Sequence, residues 1–510
     1  FLPEIEVPTK PSTRPEAAVS AAGTDTGQPP APGQGQPSGA LNGMTVYVSA
    51  GHGWEWNSYK DQWKTQRPPY PNTSYAGPII EDHNNGEAVN QYLLHYLWNA
   101  GAQVYPVRER DMNDEEAIVD DGGSGYSDSG WTPVGAGYLG DSREIATVNG
   151  AGTATTNWQA SLPADGRYAV YVWYRSDGNR PPDARYTVYH AGGETTVEVD
   201  QRKHGYTWHY VGTFGFVAGT AARVTLTNQS SVAGRTVVAD AVRFGGGTFD
   251  NLGGIDTIAT GPPMRPWWEV ASFYYTQKMG MAAGYGDVTV RPTYARWEHA
   301  GTGDNAVYVS WHSNGATGYA QWNYSGTETY AHNGEGLART AGSLLLRDAI
   351  HWEVVHDIRA GWDGSWVDRG AKLANLGELR LLWDDNPATR MPGALIEIGF
   401  HDHPGDTDAL KDPRFNQLVA RALYQGIAKY FNVGATLLPE PPTHLSVENV
   451  GGGSVRVSWQ PSPTDGQGLR GHAASGYRVY TSPNGIGWSD GIQVGSGTEW
   501  VLSGLSVGDL

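Results

Sequence analysis

Hydrophobic residues follow two different patterns along the chain. In the first pattern, short apolar runs rich in β-branched residues alternate with segments whose apolar residues share one helix face. The apolar runs are 44–49, 103–107, 306–311 and 393–398, and the helical segments are 88–97, 337–349 and 413–427. This pattern predicts an α/β domain in which helices flank a mostly parallel sheet.

The second pattern occupies the middle of the chain. Between about residues 119 and 247, short apolar strands with β-branched and aromatic residues are separated by turn residues, as in 168–174, 186–189 and 223–227. Short strands at this spacing are typical of an all-β sandwich. We therefore expect a single α/β domain that is interrupted by a β-sandwich insert.

The two ends of the chain differ from both patterns. Residues 1–40 are rich in Pro, Gly, Ser and Ala, which predicts a disordered linker. After a Pro-rich joint at 439–442, the last segment again has the pattern of a β module, a partial β-sandwich. The predicted divisions are the linker (1–40), the α/β domain in two parts (41–118 and 249–435), the insert (119–248) and the C-terminal module (436–510).

Composition narrows the classes of partner and of metal site. The 510 residues carry a formal net charge of −18, so the chain lacks the cationic surface that a phosphate backbone requires. The chain has no cysteine, which excludes disulfides, thiolate metal sites and cysteine nucleophiles. Any metal must therefore be bound by His, Asp or Glu.

Membrane and export signals are absent from this sequence. No apolar run approaches the roughly 18 residues of a membrane span. The chain begins at Phe1 without a basic and then apolar leader, so either a signal peptide has been removed or the sequence is a fragment.

Three ionisable residues lie at or near the ends of predicted strands. Two strands run directly to His52 and His312, and the strand at 393–398 contains Glu397. Ligand sites of parallel α/β sheets form at the carboxyl ends of strands, so these side chains can meet in space. A single histidine at a strand end is more often a structural, hydrogen-bonded residue, and the pattern alone leaves that alternative open.

The α/β segments resemble the zinc-dependent N-acetylmuramoyl-L-alanine amidase family. The similar stretches occur in the family's order and span roughly residues 44–118 and 265–432. They are VSAGHG (48–53), SWHSN (310–314), TETY (327–330), DRG (368–370) and LIEIGF (395–400).

The resemblance implies a role for each of these residues. His52, Glu81 and His312 correspond to the zinc ligands, and Glu397 corresponds to the catalytic glutamate. Such a donor set leaves a fourth position for a water molecule, whose pKa zinc lowers toward about 7. The implied reaction is hydrolysis of the amide bond between N-acetylmuramic acid and L-alanine in peptidoglycan. The implied location is outside the cytoplasm, as a secreted or periplasmic protein associated with the cell wall.

Several residues depart from the family's pattern. Glu55 follows His52 at the spacing by which some zinc carboxypeptidases bind their metal, which makes it the alternative to Glu81. Asn85 matches a family asparagine with an offset of one residue. His401 and His403 stand where the family usually has apolar and Asn residues. They either tune the site or contact substrate, or they are solvated loop histidines, which is what we expect. The loop after His52 either lines a glycan groove or packs on the domain, and its aromatic residues are Trp54, Trp56, Tyr59, Trp63, Tyr70 and Tyr75.

The insert resembles the golvesin C-terminal-like domain, for example at residues 166–174 and 239–244. Members of that class are thought to bind carbohydrate, so we expect the insert to help position a glycan strand. Trp131 and Trp208 are the candidates for stacking on sugars, although burial in the core is the commoner fate of such residues. Replacement of residues 119–247 by a short linker is expected to leave zinc binding intact.

The C-terminal module resembles a fibronectin type III domain at residues 454–459 and 476–480. A complete sandwich of this type needs about seven strands over roughly 90–100 residues. Residues 441–510 leave room for about five strands, so we expect the natural protein to continue beyond Leu510.

Two other classes of function are compatible with the same residues. One is a zinc peptidase that cuts within the stem peptide of peptidoglycan. The other is a non-catalytic protein that binds cell-wall glycan. The nature of the products, or their absence, separates these alternatives from the amidase.

Overall fold

The computed structural model describes residues 35–57, 59–60, 62–67, 79–250, 264–316, 324–465 and 468–505. The first α/β segment contains β1 (Met44–Ala50), β2 (Trp54–Asn57), β3 (Gln62–Thr65), α1 (Glu81–Ala88), α2 (Leu94–Asn99) and β4 (Gln103–Pro106). A π-helical turn, Val89–Leu93, joins α1 to α2. The helix ends before Gly101, whose φ of +90° is a left-handed conformation that favours glycine.

The insert consists of short antiparallel strands. They are β5 (Ala117–Val119), β6 (Tyr126–Asp128), β7 (Thr132–Val134), β8 (Ser142–Ala146), β9 (Thr155–Leu162), β10 (Gly166–Val172), β11 (Ala184–His190), β12 (Gly193–Val199), β13 (His209–Phe216), β14 (Gly219–Thr227), β15 (Thr236–Ala239) and β16 (Val242–Phe244). They form sheets in the orders β13-β10-β16-β5, β12-β11-β14-β9-β6 and β15-β8-β7. Trp158, Tyr168 and Tyr186 fill the core between them. The predicted all-β insert therefore agrees with the structure.

The second α/β segment follows a short antiparallel pair of strands. Its elements are β17 (Thr248–Asp250), β18 (Met264–Pro266), α3 (Ser272–Lys278), α4 (Asp287–His299), β19 (Asn305–Asn314), β20 (Thr327–His332), α5 (Ser343–Gly361), β21 (Asp368–Ala374), α6 (Gly377–Arg380), β22 (Gly393–Phe400), α7 (Pro404–Lys411) and α8 (Pro413–Phe431). Asp412 caps α8, because its side chain accepts a hydrogen bond from the backbone N–H of Arg414.

Both α/β segments contribute strands to one six-stranded sheet, in the order β21-β20-β22-β19-β1-β4. Every pairing in this sheet is parallel except that of β20 with β22. The prediction of a mostly parallel sheet is therefore confirmed. Because β1 and β19 are parallel neighbours, with Ala50 opposite Trp311, their carboxyl ends open at the same edge of the sheet.

Helices cover the two faces of this sheet. Apolar residues of α5 and α8, including Leu346, Ile350 and Leu423, pack in one cluster with residues of β1, β19 and β22. Tyr47 and Tyr308 belong to a second cluster, together with Ala295 of α4 and Leu379 of α6. The metal-centre candidates lie at the edge that these two helical layers leave open.

The insert and the α/β domain share a third apolar cluster. The insert contributes Ala169, Tyr171, Trp173, Trp208 and Ala241, and the α/β domain contributes Trp56, Trp63, Val107, Phe249, Trp267, Val270, Ala271, Tyr274, Tyr275, Met279, Met281, Val290 and Tyr294. Removal of the insert would expose this apolar face to water. The shared core argues against the expectation that residues 119–247 can be replaced without disturbing the α/β domain.

Buried charges join the same two domains. Arg243 of β16 pairs with Glu109, which follows β4, at 3.0 Å, and both side chains are fully buried. His204, in the loop between β12 and β13, lies 2.8 Å from Glu298 of α4 and 2.7 Å from Asp304. Apolar and ionic contacts thus hold the insert against the α/β domain, unlike a module on a flexible tether.

The remaining described residues belong to the two ends of the chain. Residues 1–34 of the predicted linker lie outside the described residues. Gln36 is buried, and its side chain donates hydrogen bonds to the carbonyl oxygens of Trp98 and Ala102, so residues 35–40 lie against the α/β domain rather than in the linker. The C-terminal strands are β23 (Thr443–Gly451), β24 (Ser454–Gln460), β25 (Tyr477–Val479), β26 (Ile492–Gly495) and β27 (Glu499–Ser503), arranged as a sheet β23-β24-β27 and a hairpin β25–β26.

Candidate metal centre

His52, Glu81 and His312 meet at the open edge of the sheet. The Nε2 atom of His52 and the Nδ1 atom of His312 each lie 3.5 Å from Oε1 of Glu81. One ligand atom from each of the three residues falls within 4.8 Å of the others, and all three residues are buried. Two imidazole nitrogens and one carboxylate oxygen at this separation fit a catalytic zinc ion or a similar divalent metal.

The backbone around His52 allows the two imidazole rings to approach. A side chain at Gly51 would place its Cβ atom 2.4 Å from Cε1 of His312, so only glycine fits there. His52 itself has a φ of +66°, which is strained for a residue with a side chain. Gly53 has a φ of +124°, and its N–H donates a hydrogen bond to Asp82, 3.0 Å away. The Gly-His-Gly sequence is therefore explained by a turn that directs His52 toward His312.

Glu81 begins α1 and is held by polar contacts on both of its oxygens. Oε1 accepts hydrogen bonds from the backbone N–H of Ser313 at 3.2 Å and from Asn85 at 3.3 Å. Oε2 lies 3.5 Å from Nδ1 of His401 and 3.6 Å from Nε of Arg67. Burial alone would raise the pKa of Glu81, but the neighbouring histidines hold it well below its usual range. The side chain is therefore held ionised and oriented between the two histidines.

The two histidines are oriented by different partners. Nδ1 of His52 lies 2.9 Å from Oε1 of Gln66, so the ring donates that proton to an amide and turns Nε2 toward Glu81. Nε2 of His312 lies 3.1 Å from Oε2 of Glu378, so the ring turns Nδ1 toward Glu81. Burial opposes the charged imidazole, but Glu378 raises the pKa of His312 to about 10. Metal-binding histidines commonly donate their second N–H in this way.

Glu397 lies on the neighbouring strand, directly opposite His312 in the register of β19 with β22. Its Oε2 atom is buried and has no hydrogen-bond partner among the described residues. Burial, together with the charges of Glu81, Glu328 and Glu378, raises the pKa of Glu397 to about 8. Glu397 is therefore a carboxyl group beside the three-residue cluster with an oxygen available for proton transfer.

A polar rim continues from Glu397 across β20 and β21. Glu328 lies opposite Glu397 in the register and accepts hydrogen bonds from Asn314 at 2.5 Å and from Tyr330 at 2.7 Å. Arg369 pairs with Glu328 at 2.9 Å. The stretches 310–314, 327–330 and 368–370, which are far apart in the sequence, thus form one wall of the site.

Other residues of interest occupy different surroundings from those expected. Glu55 lies in the β2–β3 hairpin and pairs with Lys64 at 3.1 Å, whereas Glu81 is the carboxylate beside the histidines. His401 is buried beside Glu81 rather than solvated, because β22 carries it under the loop that contains Gly315. His403 is partly exposed and caps α7 through the N–H of Asp406.

The aromatic residues of the loop after His52 differ in burial, so some pack on the domain and others are exposed. Trp56 and Trp63 are buried in the cluster shared with the insert, whereas Tyr59 is exposed at the tip of the hairpin. Tyr70 and Tyr75 lie outside the described residues. Trp131 and Trp208 are only 6% and 3% exposed, so neither offers a face for stacking on a sugar.

Three residues around the site have no counterpart among the sequence-based candidates. Glu378 contacts His312 from behind, and Arg291 of α4 pairs with Glu378 at 3.0 Å. Gln66, which orients His52, lies only 14 residues after it. The single signal for Glu378 is its position as a lone carboxylate in the mostly apolar segment 376–382.

Comparison with known proteins separates the chain into two matched segments. Residues 117–246 match the family model of the golvesin C-terminal domain, and residues 282–429 match that of N-acetylmuramoyl-L-alanine amidase. Xanthan lyase of Bacillus sp. strain GL1 is 39% identical over 111 residues, which cover 22% of this chain and 11% of the lyase. N-acetylmuramoyl-L-alanine amidase CwlM of Bacillus licheniformis is 32% identical over 126 residues, which cover 25% of this chain and 41% of that enzyme. The chain thus spans less than half the length of either curated relative.

Solved structures give matches of the same kind. The catalytic domain of CwlV, an N-acetylmuramoyl-L-alanine amidase from Bacillus (Paenibacillus) polymyxa, is 23% identical with a TM-score of 0.23, covering 31% of this chain and 71% of that domain. In the part of the chain that the structure describes, no helix has both the length and the apolar character needed to cross a membrane.

Proposed function

We propose that this protein, in which an N-acetylmuramoyl-L-alanine amidase domain is interrupted by a golvesin C-terminal-like insert, hydrolyses the amide bond between N-acetylmuramic acid and L-alanine in peptidoglycan. The observation that supports this proposal is the convergence of His52, Glu81 and His312 from three separate elements, with Glu397 on the next strand. The proposed site of action is the cell wall, after secretion.

In this proposal, His52, Glu81 and His312 bind a zinc ion. When bound, zinc supplies a Lewis acid for the lactyl carbonyl and lowers the pKa of a coordinated water toward about 7. Gln66 lies behind the ring of His52, and Glu378 lies behind the ring of His312, each on the side that faces away from Glu81.

Glu397 moves the proton that the reaction requires. Its Oε2 atom is available to accept the proton of the attacking water. The same carboxyl group then donates that proton to the amine nitrogen of L-alanine, which must be protonated to leave. A divalent cation held by His52, Glu81 and His312 would favour the carboxylate form of Glu397 and would let that group begin the cycle as a base.

Analysis of the reaction products tests this proposal. Purified peptidoglycan is digested with the zinc-loaded protein, and the soluble and insoluble fractions are examined by mass spectrometry. We expect stem peptides with a free N-terminal alanine and muramic acid with a free lactyl carboxyl group. New termini within the stem peptide would indicate a peptidase, and no product at all would indicate a glycan-binding protein.

The contacts of the insert limit the side chains with which it could bind a glycan. No aromatic side chain between residues 117 and 246, all of which the structure describes, is among the exposed large hydrophobic residues. The earlier candidates for sugar stacking, Trp131 and Trp208, are buried. The insert therefore offers no strongly exposed aromatic face for a sugar, and its docking supports the aromatic hairpin that precedes Gln66.

A further inference from the structure

A buried carboxylate lies behind the candidate metal centre, where the proposed reaction does not use it. Glu378, on the short helix α6, is only 3% exposed. Its Oε2 atom is 3.1 Å from Nε2 of His312, on the side of the ring that faces away from Glu81. The carboxylate is therefore placed to act on His312 and not on a substrate.

Three elements around Glu378, the strands β1 and β19 and the helix α4, supply it with hydrogen-bond donors. Oε1 accepts from Ser49 of β1 at 2.7 Å, and from Tyr308 and Ser310 of β19 at 2.6 Å each. Oε2 also accepts from Nη1 of Arg291 at 3.0 Å. All four donor residues are completely buried. Four side-chain donors, one of them a guanidinium, favour the carboxylate form of Glu378 over the neutral acid.

Stability alone does not account for this arrangement. Several buried polar groups are ordered around one carboxylate, next to an apolar cluster that contains Leu379 and Leu382. Replacement of buried ionic groups by apolar residues of similar volume is often neutral or even stabilising. A purely apolar core could not interact with the ring nitrogen of His312, so the arrangement is explained by its effect on that histidine.

That effect is the choice of tautomer and ring orientation. A carboxylate accepts but cannot donate, so it keeps a proton of His312 on Nε2, and the Nδ1 proton is the one that a metal displaces. The ring of His52 has the opposite arrangement, with Nδ1 toward Gln66 and Nε2 toward Glu81. An anionic partner also makes the imidazole a stronger ligand than a neutral amide does.

We infer that Glu378 is a positioning residue that fixes His312 with Nδ1 directed to the metal. This inference rests on the proposed function, because it assumes that His312 is a ligand. Outer partners of metal-binding histidines typically contribute about 10–100-fold to metal affinity.

The test compares zinc affinity among variants of the full chain. Glu378→Gln keeps the shape of the side chain but removes its charge, and its amide can turn either an acceptor or a donor to His312. Tyr308→Phe is the matched control, because it removes one hydrogen bond to Glu378 and does not touch His312. Zinc dissociation constants are measured by competition with a chromophoric chelator, and the unfolding temperature of each zinc-free variant is measured in parallel.

We expect Glu378→Gln to weaken zinc binding by about 10–100-fold, at an unfolding temperature close to that of Tyr308→Phe. We expect Tyr308→Phe to retain nearly the wild-type affinity. If Glu378→Gln does not fold, Glu378→Asp provides the same comparison, because the shorter side chain withdraws the carboxylate from Nε2.

The outcomes distinguish this inference from the proposed function. Unchanged zinc affinity in a folded Glu378 variant, with tight binding by the wild type, would overturn the positioning role alone. Equal losses in Glu378→Gln and Tyr308→Phe would also overturn it, since the cause would then be general destabilisation. A wild-type protein that binds no zinc would overturn the proposed function itself, and the positioning role with it.

Discussion

Removal of Arg243 should destabilise the α/β domain and the insert together. The Arg243 guanidinium is fully buried, 3.0 Å from the carboxylate of Glu109 and 3.9 Å from the centre of the Tyr171 ring. Arg243→Met keeps most of the apolar volume but leaves the buried Glu109 with a hydroxyl and backbone N–H donors as its remaining partners. Breaking one side of a buried ion pair costs about 3–5 kcal/mol.

Thermal unfolding of the full chain, followed by calorimetry and tryptophan fluorescence, measures this cost. A loss of that size corresponds to a fall of roughly 6–10 °C in unfolding temperature, since each kcal/mol moves a large domain by about 2 °C. The double variant Glu109→Gln/Arg243→Met removes both charges and should recover part of the loss. The reasoning would be refuted if Arg243→Met unfolded at the wild-type temperature, or if the double variant showed the full sum of the two single losses.

The remaining predictions concern the metal, the insert and pH. Chelation of the metal should abolish activity in a peptidoglycan release assay. Glu397→Gln should keep zinc, as measured by metal analysis, but should lose turnover in the same release assay. A wild-type rate in Glu397→Gln would exclude the assigned mechanism. Glu81→Ala should lose zinc, whereas Glu55→Ala should keep it, and the reverse result would favour the carboxypeptidase-like spacing. Deletion of residues 119–247 should lower the unfolding temperature and weaken zinc binding, because it exposes the shared core; a stable, zinc-binding deletion variant would contradict that. Burial would lower the pKa of His204, but its two carboxylate neighbours raise that pKa above the unfolded value of about 6.5. The stability that His204 contributes is therefore complete below the unfolded pKa and is lost as the pH rises through the pKa of the folded state. His204→Gln should therefore cost more stability at mildly acidic pH than at alkaline pH, in denaturant titrations at both.

Much of the fold could be predicted from hydrophobic spacing. The alternation of strands and helices on either side of a strand-rich middle predicts one sheet interrupted by an insert, and the sheet order agrees with that prediction. The strand that leads to His52 and the strand that carries His312 are parallel neighbours, so the sheet itself brings these residues together. Glu397 follows from the same logic, because its strand pairs with that of His312.

Residues that act through tertiary contacts could not be predicted in this way. Glu378 is brought to His312 by a four-residue helix, and no local pattern indicates which buried atom such a helix will approach. His401 follows a strand directly, which suggested a solvated loop, but the neighbouring loop at Gly315 covers it. Composition likewise could not separate core tryptophans from sugar-binding ones, and Trp208 proves to be a core residue at the domain interface.

The central claim is that zinc-dependent hydrolysis takes place at the lactyl amide, and digestion in heavy-oxygen water tests it most directly. Peptidoglycan is digested by the zinc-loaded wild type and by Glu397→Gln with equal zinc content, and the products are analysed by mass spectrometry. The account predicts heavy oxygen in the lactyl carboxyl group of muramic acid, unlabelled stem peptides with a free alanine amine, and neither product with Glu397→Gln. Heavy oxygen in a carboxyl group within the stem peptide, or release of labelled muramic acid by Glu397→Gln at the wild-type rate, would contradict it.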